Sequence, residues 1–120
     1  MRDKIAERTD WKLHEMPKAT KLVPYERELS AAQYKRLCHG FIPQSMDDRW
    51  FFFTEGAWTQ FHRSWTGYCI FRVRVVSCRK RWRVAEVWVS RNSKQYNPRD
   101  DRHILEELDW LFDFFISRKV

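Results

Sequence analysis

The stretch of residues 46–67, MDDRWFFFTEGAWTQFHRSWTG, decides the fold of this chain. It contains two aromatic-rich runs that are joined at Glu55-Gly56, and the second run closes on Thr66-Gly67 before a third begins. Extended runs joined by short glycine-containing steps are typical of β-hairpins. The stretch therefore predicts the first hairpin of an antiparallel sheet.

The runs that follow extend this hairpin to a predicted sheet of four strands. We expect the strands at about Trp50 to Thr54, Trp58 to Trp65, Tyr68 to Val76 and Trp82 to Ser90. The first two connections are tight, and the third is a basic loop over residues 77–81. Because short connections make neighbouring strands antiparallel, the expected topology is a meander.

A short N-terminal helix is predicted before the meander. Ser30 and Gln33 have the spacing of a capping box, in which each side chain binds the backbone amide of the other residue. Tyr34, Leu37 and Phe41 follow near helical spacing, and Gly40 suits the end of the helix.

A second helix is predicted after the meander. Asn97 is the expected cap, Pro98 the first helical residue, and Arg118 with Lys119 the basic end. Its apolar residues form one stripe: Ile104, Leu105, Leu108, Leu111, Phe112, Phe115 and Ile116. Such a stripe must be covered, so the helix should pack on one face of the sheet. The expected class is α+β: a short N-terminal helix, a four-stranded antiparallel meander and a C-terminal amphipathic helix.

Length and composition limit the kind of protein. The 120 residues predict one domain, in which residues 1–21 form an arm with a frayed start and Trp11 packs onto the body. The three cysteines have no Cys-x-x-Cys spacing, so no disulfide framework or zinc site is expected. No apolar run could span a bilayer and the charged N-terminus lacks a signal-peptide core, so we expect a cytoplasmic protein without membrane contact.

The basic composition indicates an anionic partner. A formal charge of +7 favours nucleic acid, a nucleotide or an acidic protein.

Strand alternation divides the third and fourth strands into a core face and an outer face. The expected core face of the third strand comprises Cys69, Phe71, Val73 and Val75. The expected outer face comprises Tyr68, Ile70, Arg72 and Arg74, together with Trp82 and Trp88 of the fourth strand. On this outer face, rings could stack on bases and guanidinium groups could bind phosphate. The predicted binding residues are Arg72, Arg74, Arg79, Lys80, Arg81, Trp82 and Trp88. In the alternative interpretation, these tryptophans pack under the arm or a second subunit.

Arg63 is a charge on a strand face that should be apolar, because it alternates with Phe61 and Trp65. In a structural interpretation it pairs with Asp47 or Asp48, just before the first strand. In a functional interpretation it binds an anion, and the neighbouring His62 acts as general acid or base.

Two alternatives to a binding module therefore stay open. One is a small enzyme that acts on a nucleotide-like or phosphorylated substrate through His62 and Arg63, although adjacent strand residues point in opposite directions. The other is a structural or inhibitor-type protein-interaction subunit. No spacing is diagnostic of a metal site, and no cofactor is predicted.

Residues 45–53, SMDDRWFFF, and residues 61–70, FHRSWTGYCI, resemble an uncharacterised family of small bacterial proteins. The resemblance covers roughly residues 29–75. It implies a grouping and no particular activity.

Overall fold

The computed structural model describes residues 4–117 as an α+β fold. Its strands are β1 Thr20–Val23, β2 Glu28–Leu29, β3 Trp50–Glu55, β4 Trp58–Arg63, β5 Cys69–Cys78 and β6 Arg81–Ser90. Its helices are α1 Ala31–His39 and α2 Asp101–Leu111, after which the chain continues as a π-helical segment over Phe112–Ser117. A single 3₁₀ turn covers Arg8–Asp10.

All six strands belong to one antiparallel sheet with the order β1-β6-β5-β4-β3, and β2 also pairs with β6. The four predicted strands form the expected meander, but the predicted strand count is wrong. Two short segments before α1 add to the free edge of β6, where its backbone groups need hydrogen-bond partners. They contain only four and two residues, which is too short for alternation to mark them. As a result, α1 follows two strands and is not the first element of the fold.

One face of the sheet, the helix face, packs against α2 and the π-helical segment. The predicted apolar stripe is confirmed, since five of its residues are buried in the main core: Ile104, Leu108, Leu111, Phe112 and Ile116. The rings of Phe61 on β4 and Phe112 lie 6.1 Å apart between centroids. Each large apolar side chain buried in this way stabilises the fold by roughly 1.5–3 kcal/mol.

The starts of the two helices differ in how well they were predicted. At α1, the Ser30 hydroxyl accepts the Gln33 amide at 3.2 Å and Gln33 accepts the Ser30 amide at 2.9 Å, so the capping box is confirmed. At α2, the predicted cap at Asn97 is wrong, because Asp100 caps the helix by accepting the His103 amide at 2.9 Å. Residues 97–99 instead remain in the loop that follows the buried Tyr96.

The other face of the sheet, the arm face, is partly covered by residues 4–19. Phe51 and Phe53 are fully buried on this face and form a second core with Ala6, and Trp11 packs against it. The rings of Trp11 and Phe51 stack at 6.0 Å, and the Trp11 indole donates a 2.8 Å hydrogen bond to the Ser64 carbonyl. The arm is therefore part of the folded body. The predicted frayed start falls partly on residues 1–3, and the basic helix end on residues 118 and 119, which lie outside the described residues.

A β-bulge in β5 changes which residues face the core. Phe61 pairs with Phe71, whereas the next residue, His62, pairs with Cys69. Ile70, predicted on the outer face, is consequently buried in the main core. Cys69, predicted on the same face as Phe71, lies instead beside Gln60, with its sulfur 3.9 Å from the amide oxygen.

A second bulge moves Trp82 to the helix face. Arg74 pairs with Glu86, but Val75 pairs with Val84, so β6 has one extra residue at this point. Trp82 stacks on Tyr34 of α1 with ring centroids 3.6 Å apart. The prediction that Trp82 shares an outer face with Trp88 is therefore wrong.

Substituting the turn glycines tests how firmly the arm is docked. Gly67 has φ +80° and an added Cβ would collide with the Lys12 carbonyl of the arm, whereas Gly56 has φ +61° and open space around it. Gly56→Ala should lower the free energy of unfolding by about 1 kcal/mol through backbone strain alone. Gly67→Ala should lower it by about 1–3 kcal/mol more, because the arm must shift.

Urea unfolding measures both variants, and amide hydrogen exchange at Ala6 and His14 reports on the arm. Faster exchange at these amides is expected only in Gly67→Ala, since His14 donates to the Gly67 carbonyl at 2.9 Å. Equal losses of stability in the two variants would contradict a tightly docked arm.

Candidate binding sites

A cavity of about 620 Å³ lies between α2, the loop before β3 and the end of β4. We call it the α2 cavity. Its charged lining comprises four carboxylates, two guanidinium groups and one imidazole: Asp47, Asp48, Glu106, Glu107, Arg49, Arg63 and His103. Its aromatic lining consists of Trp50, Trp110, Phe114 and Phe115. The volume is in the range of small-molecule sites.

Arg63 lies in this cavity and pairs with a different acid from the one predicted. Its guanidinium carbon is 4.4 Å from the centroid of Trp50 and 5.9 Å from that of Tyr96. Its Nη2 is 3.4 Å from Glu107 on α2, so the predicted pair with Asp47 or Asp48 is wrong. Glu107 also accepts a 2.6 Å hydrogen bond from the hydroxyl of Tyr96, whose pKa is raised chiefly by burial. Arg63 is thus held by stacking on Trp50 and by the carboxylate of Glu107, which is distant in sequence.

Asp47 and Asp48 shape the loop beside the cavity. The Asp48 carboxylate accepts a hydrogen bond from the Gln44 backbone amide at 2.8 Å. The backbone carbonyl of Asp48 accepts one from the Ser64 hydroxyl at 2.7 Å. The Asp47 carboxylate is exposed and has no partner among residues 4–117. Asp48 therefore stabilises the loop before β3, whereas the Asp47 side chain is open to solvent.

His62 lies on the opposite side of the sheet from Arg63. It is 1% exposed, contacts Phe51 and Phe53, and its Nδ1 is 2.9 Å from the Gly67 carbonyl. Burial lowers the pKa of His62 to about 4. The two residues of the enzyme hypothesis therefore do not line one cleft, and His62 is a neutral core side chain at pH 7.

The uncovered part of the arm face carries half-buried tryptophan and arginine side chains. We call Trp58, Arg72, Arg74 and Trp88 the Trp–Arg face. Trp58 is the cross-strand neighbour of Arg74, and Arg72 is that of Trp88. The Arg72 guanidinium carbon lies 4.5 Å from the centroid of Trp58. This face contains three of the predicted binding residues and also Trp58.

The two arginines of this face differ in their partners. Arg74 makes a 2.7 Å ion pair with Glu86, and the Trp88 indole donates to the same carboxylate at 3.0 Å. These two hydrogen bonds, first that from Trp88, lower the pKa of Glu86. Arg72 has no acidic partner among the described residues, and its buried Nε makes no hydrogen bond. Arg72 is therefore the cation that is available for a ligand.

A depression of about 300 Å³ opens beside Arg72. Its lining residues are Met16, Pro17, Lys18, Thr20, Arg72 and Trp88. Lys18 is exposed and, within residues 4–117, has no acidic partner. Two uncompensated cations and an indole thus surround one recess, which suits an anionic group attached to a flat ring.

The basic loop between β5 and β6 is a two-residue turn, tighter than predicted. Arg79 and Lys80 have φ of +49° and +69°, Cys78 pairs with Arg81, and all these side chains are exposed. Arg81 lies 3.5 Å from Glu28, whereas Arg79 and Lys80 make no ion pair with a described residue. Left-handed backbone normally favours Asn or Gly at such a turn.

Several of these residues were not identified from the sequence. Trp58, Tyr96 and Glu107 become relevant only through pairing and long-range packing. Trp110 and Phe114 carry a local signal, because they are aromatic residues four positions apart in the predicted C-terminal helix and lie outside its apolar stripe. They are 50% and 44% exposed, and their rings stack at 5.0 Å.

No protein-family model, curated protein or solved structure matches the chain. The resemblance carried by residues 45–53 and 61–70 stays a prediction. Within the described residues, no three His, Cys, Asp or Glu side chains are grouped so that they could hold a metal ion. None of the helices in this part of the chain combines the length and apolarity needed to cross a membrane.

His62 should make stability depend on pH. Its pKa is about 4 in the folded protein and about 6.5 when exposed after unfolding, so the unfolded state binds the extra proton first. The contribution of neutral His62 to the free energy of unfolding is therefore complete above pH 7. It is lost as the pH falls from 7 to 4, by up to about 3 kcal/mol.

Urea unfolding of wild type and His62→Gln at several pH values measures this effect. The glutamine does not titrate, so the difference between the two proteins isolates His62 from acids that titrate at lower pH. Parallel stability curves between pH 7 and pH 4 would contradict a buried, neutral histidine.

Arg63 should act mainly through stacking. Arg63→Ala is expected to lower the free energy of unfolding by about 2 kcal/mol, because the stem and guanidinium leave Trp50. The coupling with Glu107 should be only about 0.5–1 kcal/mol, since both side chains are partly exposed. A double-mutant cycle of Arg63→Met with Glu107→Gln measures the coupling, and Asp48→Asn is the control. Equal coupling of Arg63 to Asp48 would contradict the assignment.

Proposed function

We propose that the protein is a binding module for a single-stranded nucleic acid, which it contacts through the Trp–Arg face and the turn between β5 and β6. The observation that carries the proposal is the recess in which Arg72 and Lys18 lie beside Trp88 without acidic partners among the described residues. In such a recess a base can stack on the indole while its phosphate binds the cations.

The turn residues support a partner longer than one nucleotide. Arg72 lies on β5, and Arg79 lies in the turn just beyond its end, seven residues later. A strand rises by roughly 3.3 Å per residue, so the two positions are about 23 Å apart. One nucleotide cannot reach both. A linear polyanion can, and Arg83, which is exposed, lies between them on β6.

Backbone strain at the turn gives independent support. A non-glycine residue in the left-handed region costs about 1–2 kcal/mol, yet both central positions carry long basic side chains. Strained residues of this kind cluster at functional sites, where the surrounding structure holds them in place. The turn therefore presents two cations at the end of a rigid hairpin.

The other hypotheses have weaker support. A small enzyme would need His62 and Arg63 in one site, and these side chains lie on opposite faces of the sheet. An acidic protein could also bind the cations, but a nucleotide unit uses both features of the recess, because its base can stack on Trp88 while its phosphate binds Arg72 and Lys18. We therefore place nucleic acid first among the anionic partners.

Substitutions that separate stacking, charge and strain test the proposal. Trp88→Ala should weaken binding to a twelve-nucleotide single strand by about 1–3 kcal/mol through lost stacking. The double variant Arg79→Asn, Lys80→Gly should weaken binding and reduce its salt dependence, because two phosphate contacts are lost. The same variant should raise the free energy of unfolding by about 1–2 kcal/mol, since the turn is no longer strained.

Fluorescence anisotropy at 50–300 mM salt, with DNA and RNA strands, measures binding, and urea unfolding measures stability. The control is Arg91→Ala, Lys94→Ala, which removes the same charge from exposed residues beyond the opposite end of β6. Absent or salt-insensitive binding, or an equal loss in the control, would contradict the proposal. If a mononucleotide binds as tightly as the twelve-nucleotide strand, the binding site is restricted to the recess and the turn is not part of it.

A further inference from the structure

The α2 cavity has a chemistry opposite to that of the Trp–Arg face. We propose that it is a second binding site, which takes a small organic cation consisting of an ammonium group on a flat apolar body. The inference is independent of the proposed function, because the two sites share no residue.

Charge favours a cation in this cavity. Arg63 and Glu107 neutralise each other at 3.4 Å, which leaves three carboxylates, one guanidinium and the His103 imidazole in the lining. That guanidinium, Arg49, lies 4.9 Å from the centroid of Trp65. Glu106 makes only an exposed pair with Arg102 at 3.3 Å, and Asp47 has no partner among residues 4–117. The protein as a whole is basic, so the excess of carboxylates in this cavity is opposite in sign to the net charge of the chain.

The aromatic wall favours a cation with an apolar body. Trp110 and Phe114 are stacked with an angle of 4° between their rings, and Phe115 lies edge-on to both, at 90° and 89°. Fixed ring faces bind both apolar groups and ammonium groups, and carboxylates beside them add attraction for the charge.

Backbone geometry at the wall gives a further observation. The α-helix ends at Leu111 and becomes π-helical from Phe112 to Ser117, so the chain widens within the aromatic wall itself. π-Helical turns are rare, and they are frequently found at functional sites. Here the segment carries Phe114 and Phe115, two of the four aromatic residues that line the cavity.

Three ligands of nearly equal shape test the charge preference. Benzylamine is cationic, benzyl alcohol is neutral and benzoate is anionic at pH 7. We expect benzylamine to shift the Trp110 indole resonance in a saturable NMR titration. Benzyl alcohol should bind at least fivefold more weakly, and benzoate more weakly still.

Variants locate the interaction. The double variant Asp47→Asn, Glu106→Gln should weaken benzylamine binding at least fivefold and make it similar to that of benzyl alcohol. Trp110→Ala should weaken both ligands. All three positions are exposed, so the folded spectrum should be retained. The control Glu26→Gln, at an exposed acid outside the cavity, should leave binding unchanged.

The outcomes separate this inference from the proposed function. Trp88→Ala should retain benzylamine binding, and Trp110→Ala should retain nucleic-acid binding. Equal binding of benzyl alcohol or benzoate, or unchanged benzylamine affinity in the double variant, would overturn the inference. It would also be overturned if sedimentation showed that a second copy of the chain covers Trp110 and excludes benzylamine.

Discussion

The whole structure depends on the burial of aromatic rings on both faces of β3. Successive strand residues point to opposite sides, so Trp50 and Phe52 enter one core and Phe51 and Phe53 enter another. Leaving either pair exposed would forfeit several kcal/mol of hydrophobic stabilisation. The sheet therefore needs two covers, which α2 with its π-helical extension provides on the helix face and the arm provides on the other.

The two covers also decide where ligands can reach the sheet. The arm covers the part of its face formed by β3 and the end of β4, and its residues 16–18 border the Trp–Arg face, whose side chains stay half-buried. On the helix face, α2 ends in a cluster of rings beside the loop before β3, and the α2 cavity remains there. The two candidate sites thus lie on opposite sides of one rigid sheet and carry opposite charge.

Local sequence patterns predicted the positions of the strands and helices better than they predicted which sheet face each side chain occupies. Strong alternation and tight glycine steps predicted the four strands of the meander, and apolar periodicity predicted the buried stripe of α2. The assignments of Ile70, Cys69 and Trp82 were wrong, because each of two bulges reverses the alternation beyond it. No local residue pattern marks these bulges, since they arise from how neighbouring strands fit together.

The residues of the candidate sites likewise divide into those with a local sequence signal and those that depend on long-range packing. Arg63 stood out in the sequence as a charge among apolar neighbours, but its partner, Glu107, is 44 positions away and could not be chosen over nearby acids. Trp58 joined the binding face only through its pairing with Arg74. The exposed pair Trp110 and Phe114 was detectable, because neither residue belongs to the stripe that buries the helix.

The two edges of the sheet bear on how the protein avoids self-association. On one side, β1 and β2 divide the edge of β6 into short segments separated by Pro24, which cannot donate a hydrogen bond. On the other side, Phe41 exchanges two hydrogen bonds with Phe52, at 3.0 and 3.3 Å, and so occupies the middle of β3. Neither edge offers a long row of open amides and carbonyls. A chain this rich in aromatic strands can consequently remain resistant to the edge-to-edge pairing that begins aggregation.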